Sequence, residues 1–319
     1  MSFSTDVKDE LSRVELACPN CAKAMLAALV KSHGTLNIAG GGNFSVNFAT
    51  DNAWIARFAL QSFKEIYNLD TSLTYRRSVL HNTQNYLIEL KSGKNLQKAL
   101  IDMGILQPPN KDKNKSVTSI SHGIKKNFMQ KDCCAAAYLR GAFLGSGYVS
   151  RPSGDFHFEI SVERKSQATD MKKILAAKDI KSGVCARRNT YLLYIKSGQG
   201  ISDFLAFTGA HKSALKLENT RVSKQIANQI NRQTNAEIAN SKRSVEAAYN
   251  QIVMIQRVAK FYGLANLSPA IRDFMALRIK YRDVSLTELG TMADPPLTKS
   301  AINSRLRRLE KLNSQIKKN

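Results

Sequence analysis

The stretch CCAAAYLRGAFLGSGYVS, residues 133–150, decides the fold because the chain contains it twice. A weaker copy, CAKAMLAALVKSHGTLNI, spans residues 21–38. Each copy predicts an apolar helix with small residues on one face, which ends at a glycine, Gly34 or Gly147, and passes directly into a strand. Small residues at helical spacing allow two backbones to approach closely. The two stretches therefore predict a pair of central helices that pack against each other.

Each central helix is followed by the same order of predicted elements. In the first copy these are a hairpin with strands at 35–38 and 44–48 around Gly40-Gly41-Gly42, a helix over 52–67, strands over 71–77 and 85–91, and a helix over 95–103. In the second copy they are strands over 148–150 and 156–162, a helix over 165–177, strands over 182–187 and 190–196, and a helix that ends near residue 207.

The last segments of the two copies confirm the duplication. NYLIELKSGKNLQKALIDMG (85–104) and TYLLYIKSGQGISDFLAFTG (190–209) share seven residues in the same order. Such self-similarity indicates one structural unit written twice. The predicted fold class is α+β, with a duplicated αββαββα domain followed by an all-α domain.

Beyond residue 209 the strand pattern stops. Residues 212–238 and 244–262 predict two helices, and the first has few large apolar side chains between Arg221 and Arg232. The expected organisation follows from these changes of pattern. It consists of an N-terminal helix over 1–20, a duplicated domain over 21–209 (repeats 21–107 and 133–209, linker 108–132), a basic helical linker over 210–262, and a helix-turn-helix domain over 263–319.

The charge of the chain predicts a polyanionic partner. Its 48 Lys and Arg against 25 Asp and Glu give a formal net charge of +23. The excess is spread, with +12 on residues 210–319 and +11 on the first 209. Such a balance is typical of proteins that bind nucleic acid. No run approaches the ~18 apolar residues of a membrane span, and no secretory signal is recognised, so we expect a cytoplasmic protein.

The C-terminal sequence SLTELGTMADPPLTKSAINSRLRRLEKL, residues 285–312, predicts a helix-turn-helix. Ser285 and Glu288 form a capping-box pattern that opens the first helix. Asp294-Pro295-Pro296 ends that helix, and a second begins near Thr298. Ile302, Leu306 and Leu309 then lie on one buried face of the second helix.

The opposite face of this helix carries side chains that reach bases and phosphates. Lys299 and Asn303, near its start, are the predicted base readers, whereas Arg307 and Arg308 are predicted to bind phosphate. The full candidate set, within a span from Ser285 to Lys311, is Lys299, Ser300, Asn303, Ser304, Arg305, Arg307 and Arg308. An ordinary basic helical hairpin is the alternative interpretation of this segment.

Five cysteines, an odd number, argue against a disulfide framework. Two pairs, Cys18 with Cys21 and Cys133 with Cys134, lie at the starts of the central helices, where they could form a four-thiolate zinc site. Against this, adjacent cysteines chelate poorly, and packed helix starts need small apolar residues. The sequence favours buried structural cysteines, with no metal and no cofactor.

A helix that ends in glycine and leads into a strand, present twice in one chain, resembles the LAGLIDADG homing endonucleases. The resemblance implies that the last acidic residue of each central helix holds the divalent metals that cleave DNA. Here those positions are His33 and Ser146, and no carboxylate lies between Glu15 and Asp51 or between Asp132 and Asp155. Since Mg²⁺ needs oxygen ligands, we expect no catalytic residues.

The whole chain resembles the WhiA family of bacterial sporulation and cell-division regulators. The resemblance rests on MSFSTDVKDEL at the start, the 133–150 block, NRQTNAEIAN from residue 231 and SLTELGTMADPPLTKSAINSRLRRL from residue 285. It implies a non-enzymatic, nucleoid-associated regulator of transcription, cell division or chromosome segregation that binds double-stranded DNA. It also implies that the LAGLIDADG-like domain docks DNA or other transcription or division proteins. A DNA endonuclease and an RNA maturase are the alternatives.

Overall fold

The computed structural model describes residues 2–39, 43–77, 84–108 and 119–316. The chain divides into two compact units, Met1–Ser223 and Lys224–Asn319. The predicted turn at Gly40-Gly41-Gly42 and residues 109–118 of the predicted linker lie outside the described residues.

The first unit begins with a short helix and the first repeat. Helix α1 (Phe3–Ser12) is followed by the repeat, whose elements are α2 (Pro19–His33), β1 (Gly34–Ala39), β2 (Asn43–Thr50), α3 (Ala53–Tyr67), β3 (Thr71–Arg77), β4 (Gln84–Leu90) and α4 (Lys94–Asp102). Its four strands form an antiparallel sheet in the order β1-β2-β4-β3. The predicted elements of this repeat are confirmed, with boundaries that shift by one or two residues.

The second repeat has the same order and topology. Its elements are α6 (Asp132–Ser146), β5 (Gly147–Val149), β6 (Phe158–Val162), α7 (Lys165–Ala176), β7 (Gly183–Arg187), β8 (Thr190–Ile195) and α8 (Gly198–Thr208), and they follow a short helix α5 (Lys126–Gln130). The sheet order β5-β6-β8-β7 matches that of the first repeat element for element. The predicted α+β class with a duplicated αββαββα arrangement is therefore confirmed.

The two central helices, α2 and α6, pack against each other through small residues. A Cβ atom added at Gly141 would lie 2.5 Å from the carbonyl oxygen of Met25 and 3.1 Å from the Cβ of Ala28. Ala24, Ala27 and Ala28 are all fully buried. The helices thus pack at backbone distance, which larger side chains would prevent.

Both central helices pass into a strand without an intervening turn. Gly147 has an extended backbone with φ −85°, so a left-handed conformation does not explain the glycine. The reason is space, because an added Cβ would collide with the Phe143 ring. Phe143 in turn stacks on Phe158 of β6, with ring centroids 5.3 Å apart. The glycine therefore lets the ring fill the core between the helix end and the sheet.

Part of the predicted linker belongs to the core of the first unit. Ile124 and Phe128 are 7% and 3% exposed. The N–H of Ile124 donates to the Asp170 carboxylate at 3.0 Å, and the Lys125 ammonium lies 2.9 Å from Asp102. Residues 119–131 thus tie the two repeats together, with the side chains of Ile124 and Phe128 in the core.

One helix, α9 (His211–Tyr262), replaces the two helices predicted beyond residue 209. The 52 residues contain neither glycine nor proline, so nothing in the sequence interrupts the backbone hydrogen bonds. The division between the two units falls within this helix, after Ser223. The remaining helices of the second unit are α10 (Pro269–Lys280), α11 (Leu286–Thr291) and α12 (Lys299–Ile316).

Candidate nucleic-acid interface

The helix-turn-helix in the second unit is built on two capped helices. The Ser285 side chain accepts a hydrogen bond from the Glu288 N–H at 3.2 Å, and the Glu288 carboxylate accepts one from the Ser285 N–H at 2.8 Å. This reciprocal pair is the predicted capping box and fixes the start of α11. Thr298 caps α12 in turn, because its hydroxyl accepts from the Ala301 N–H at 3.2 Å.

A compact apolar core orients α12 against the other helices of the unit. Ile302, Leu306 and Leu309 are buried, as predicted, and pack with Leu289 of α11 and Phe274 of α10. The turn between α11 and α12 is closed by a hydrogen bond from the Leu297 N–H to the Gly290 carbonyl at 2.8 Å. One side of α12 is thus fixed on the core, which leaves its opposite side at the surface.

A buried arginine, which sequence reasoning did not identify, holds the segment between α10 and α11. Arg278 is 1% exposed, and its guanidinium donates to the carbonyls of Tyr281 and Val284 at 3.2 and 2.7 Å. Burial lowers the pKa of Arg278. No sequence signal distinguishes this residue from the surface arginines around it. Its role is to place the start of α11.

The candidate DNA-binding residues do not all occupy the same part of the α12 surface. Asn303 and Arg305 are half-buried at the two edges of the buried face, whereas the other five candidates, Lys299, Ser300, Ser304, Arg307 and Arg308, are exposed. Lys311, predicted only as the end of the span, is also exposed and follows Arg307 by four residues. Ser300, Ser304, Arg307 and Lys311 therefore form a continuous stripe along the helix, since their spacing of i, i+4, i+7 and i+11 lies on one face.

Two arginines on the exposed side of α12, Arg307 in the stripe and Arg308 beside it, bind no other group among the described residues. Within the described part of the chain, neither Arg307 nor Arg308 has an ion-pair or side-chain hydrogen-bond partner. Guanidinium groups that remain exposed can bind phosphate oxygens without first breaking an internal contact. The exposed side of α12 thus presents three cations, Arg307, Arg308 and Lys311, and the two hydroxyls of Ser300 and Ser304.

The C-terminal ends of α2 and α6 hold the two positions where the resemblance expects metal-binding acids. His33 lies edge-on to Phe48, with ring centroids 5.7 Å apart. Burial lowers the pKa of His33; nearby Asp51 opposes this shift, and nearby Lys8 adds to it. The Ser146 hydroxyl donates to the Ser161 carbonyl at 2.6 Å. One nearby carboxylate, Asp51, together with an imidazole, an ammonium group and a hydrogen-bonded hydroxyl, does not form the oxygen-ligand set that Mg²⁺ requires.

The opposite ends of these two helices bring the four predicted cysteines together. Cys21 and Cys134 are buried, and Cys18 and Cys133 are half-buried. The pKa of Cys18 is lowered to about 7, chiefly by a hydrogen bond from the Cys21 thiol. Burial is the main cause that raises the pKa of Cys21 to about 11. Within the described residues, these four are the only group of three or more His, Cys, Asp or Glu side chains placed to hold a metal.

The helices described for residues 2–316 include none with the length and apolar character needed to cross a bilayer.

Three family models match the chain in sequence order. The WhiA N-terminal LAGLIDADG-like domain matches residues 19–106, the WhiA LAGLIDADG-like domain matches residues 135–227, and the WhiA C-terminal helix-turn-helix domain matches residues 230–313. Together the three models account for both repeats and for the helix-turn-helix.

Curated relatives match over nearly their whole length. A protein of Thermoanaerobacter sp. (strain X514), named probable cell division protein WhiA, is 36% identical and covers 99% of this chain and 98% of its own. The protein of the same name from Alkaliphilus metalliredigens is 35% identical and covers 98% and 97%. The crystal structure of full-length DUF199/WhiA from Thermotoga maritima covers 99% of both chains, with a TM-score of 0.58 and 22% identity. That structure supports the fold.

Proposed function

The chain belongs to the WhiA family, and from that premise we propose that it is a DNA-binding regulator of cell division that reads double-stranded DNA with α12. The observation that carries the proposal is the exposed side of α12, where Arg307 and Arg308 have no internal partner among the described residues. A second helix placed after a tight turn is the element that enters the major groove in helix-turn-helix proteins. The net charge of +12 on residues 210–319 supports the same partner.

Within this proposal the candidate residues have different roles. Arg307, Arg308 and Lys311 bind phosphates, because they are exposed cations near the middle of the helix. Lys299, Ser300, Asn303 and Ser304 lie in its first turns, the part of a recognition helix that contacts base edges. Arg305, at the edge of the buried face, supports the helix and reaches the DNA backbone. The regulator thus acts on the nucleoid, in the control of transcription, sporulation or chromosome segregation.

The duplicated domain serves as a docking surface and not as a nuclease. At the helix ends His33 and Ser146 stand in place of carboxylates, and Lys8 brings a positive charge close to His33 and to the nearby Asp51 carboxylate. A cation at this position opposes the binding of a divalent metal. The domain is then available for DNA or for other transcription or division proteins. We propose that residues 21–209 form this docking domain, that residues 210–262 form the basic helical linker, and that residues 263–319 form the DNA-binding domain.

The test begins with genome-wide mapping of the sites that the full-length protein occupies. An oligonucleotide that contains an enriched site is then titrated with wild type and with Arg307→Ala/Arg308→Ala, and fluorescence anisotropy is recorded at several salt concentrations. Removal of two phosphate contacts should weaken binding at least ~10-fold at ~0.1 M salt and reduce the salt slope by about two. Arg57→Ala, which removes an exposed cation from α3, is the matched control and should change neither quantity.

Three outcomes would overturn the proposal. Equal affinity of the double variant and wild type would show that α12 does not bind DNA. Structured RNA that outcompetes the duplex at equal salt would establish an RNA-binding protein. Magnesium-dependent nicking at a defined site that requires Asp51 or Asp155 would establish an endonuclease.

A further inference from the structure

The four cysteines at the start of the central helices form a tighter group than packing alone explains. The sulfur of Cys18 lies 3.3 Å from that of Cys21, 3.9 Å from that of Cys133 and 3.7 Å from that of Cys134. The sulfur of Cys134 lies 4.0 Å from both Cys21 and Cys133. All four sulfur atoms fall within 4.8 Å of one another. Each repeat therefore supplies two thiols to one point.

From this geometry we infer that Cys18, Cys21, Cys133 and Cys134 bind a single zinc ion that joins the two repeats. A zinc–sulfur bond of about 2.3 Å in tetrahedral geometry separates the sulfur atoms by about 3.8 Å. Five of the six separations are 3.3–4.0 Å and lie on both sides of that distance, and the sixth, between Cys21 and Cys133, is at most 4.8 Å. An iron–sulfur cluster would hold its cysteine sulfurs farther apart, around a core of several atoms. A mononuclear tetrahedral centre thus fits the group better than a cluster does.

The repeat symmetry separates this proposal from simple packing of small residues. Cys21 and Cys134 occupy equivalent positions of the two repeats, 113 residues apart, as Gly34 and Gly147 do. Packing at the start of two symmetric helices explains that pair. It does not explain Cys18 and Cys133, which stand three residues before Cys21 and one residue before Cys134. Although Cys18 and Cys133 are not equivalent in the two repeats, their sulfur atoms lie beside those of Cys21 and Cys134. A four-ligand metal site requires this convergence.

The helices also supply the electrostatics that a thiolate site needs. Cys18 is the N-cap of α2, and Cys133 and Cys134 lie in the first turn of α6. Four thiols release four protons when Zn²⁺ binds, which leaves a centre with a charge of −2. Two helix N-termini pointing at the centre stabilise that negative charge.

The position of the centre defines its role. Each central helix has 15 residues, or about 22 Å, so the centre lies that far from His33 and Ser146. The centre also joins ligands of both repeats, and Cys18 and Cys134 are 116 residues apart in the sequence. A metal there closes a long loop and stabilises the pairing of α2 with α6 without taking part in DNA binding.

The metal is tested on full-length protein purified under reducing, anaerobic conditions without chelators. Wild type and Cys185→Ser, which lacks only the exposed fifth cysteine, should each contain about one zinc per chain by elemental analysis. Titration of the metal-free protein with Co²⁺ should produce the strong visible absorption of a tetrahedral cobalt–thiolate centre at one equivalent. Cys133→Ser and Cys134→Ala should lose both signals at least tenfold.

Folding is controlled separately, because Cys134 is buried and its loss could destabilise the core. Cys133 is half-buried, so its serine variant should keep the circular dichroism of wild type at low temperature. A zinc chelator should lower the melting temperature of wild type and of Cys185→Ser, and should leave that of Cys133→Ser unchanged. Absence of zinc with no cobalt spectrum in wild type would overturn the inference. A cobalt spectrum that survives in Cys133→Ser, or a Cys18–Cys21 disulfide found by mass spectrometry in the protein as purified, would overturn it equally.

Discussion

The cationic side chains around the central helices and those of α12 are used in opposite ways. Around the central helices, the Lys31 ammonium donates to the Gly123 carbonyl, the Lys125 ammonium pairs with Asp102, and the Arg140 guanidinium donates to the Thr208 carbonyl at 2.9 Å. Burial lowers the pKa of Lys31 to about 8. On α12, by contrast, the arginines have no such partners among the described residues.

This difference teaches that net charge identifies the kind of partner but not where that partner binds. The two parts of the chain carry almost equal excess charge, +11 and +12. In the duplicated unit, several of the cations nearest the core make internal hydrogen bonds or ion pairs. Removing one of them should cost stability, whereas removing a cation of α12 should cost DNA affinity.

The largest effect is expected where the two repeats touch. In Gly141→Val the new side chain meets the Met25 carbonyl and Ala28, both on a rigid helix, so the helices must separate. We expect a loss of about 3 kcal/mol or more in the free energy of unfolding, measured by urea denaturation of the full chain. Gly154→Ala is the matched control, because its new Cβ would have only the Arg151 carbonyl nearby, at 3.8 Å. Equal stability of the two variants would contradict the close helix packing.

A smaller loss is expected from Arg140→Met, which removes a buried cation of α6 and keeps its bulk. Arg140 is 6% exposed, and its guanidinium binds the carbonyls of Thr208 and Val14. Because those acceptors lose their partner, the free energy of unfolding should fall by about 2 kcal/mol. DNA affinity at a temperature where the variant is folded should match wild type. Arg57→Met is the surface control, and a drop in affinity with Arg140→Met alone would end the contrast between the units.

The assignment of base readers can be sharpened on α12 itself. If Asn303 reads a base, Asn303→Ala should cost about 1–3 kcal/mol at one position of the bound site and little at scrambled sequences. Its half-buried position makes Ser304, the next and more exposed residue, the informative comparison. A competition assay against a library of single-base variants of the site measures both substitutions. Specificity lost with Ser304→Ala and kept with Asn303→Ala would move base reading to the centre of the exposed stripe.

The local patterns of the sequence predict most of the fold. The repeated helix, the period-2 strands and the capping box all depend on neighbours within a few residues, and the structure confirms them. The break predicted within residues 210–262 is absent, because low apolar content weakens the packing of a helix without interrupting its hydrogen bonds. The packing of Ile124 and Phe128 in the core was not predicted, since two apolar side chains in a short polar segment give no periodic signal.

The geometry of the four-cysteine group and of the helix-turn-helix depends on contacts that no local pattern encodes. The adjacency of Cys133 and Cys134 argued against chelation, yet it is the pairing of α2 with α6 that sets the distances between the sulfur atoms. Arg278 is similarly indistinguishable in sequence from an exposed arginine until the carbonyls of the following turn surround it. The exposed side of α12 was predictable, but the half-buried position of Asn303 was not.

The smallest expected effect concerns how the helix-turn-helix is held in place. Ser285→Ala removes the hydroxyl that accepts from the Glu288 N–H, so it should destabilise the second unit by about 1 kcal/mol in thermal or urea unfolding. Ser268→Ala is the matched control, because Ser268 occupies the N-cap of α10 but makes no side-chain cap hydrogen bond. Similar losses at the two serines would mean that N-cap identity, and not the reciprocal pair, fixes the helix start.

The capping box also predicts a pH dependence with a definite sign. Hydrogen bonds from Ser285, first from its backbone N–H, hold the pKa of Glu288 below its usual value. A carboxylate whose pKa is lowered by folding stabilises the folded state above the pKa of the unfolded chain and loses that contribution as the pH falls through the folded value. Glu288→Gln should therefore lose stability relative to wild type at neutral pH, and the gap should narrow as the solution is acidified. A gap that stays constant down to the acid limit would show that the charge of Glu288 plays no part, and that the start of α11 depends on the apolar core alone.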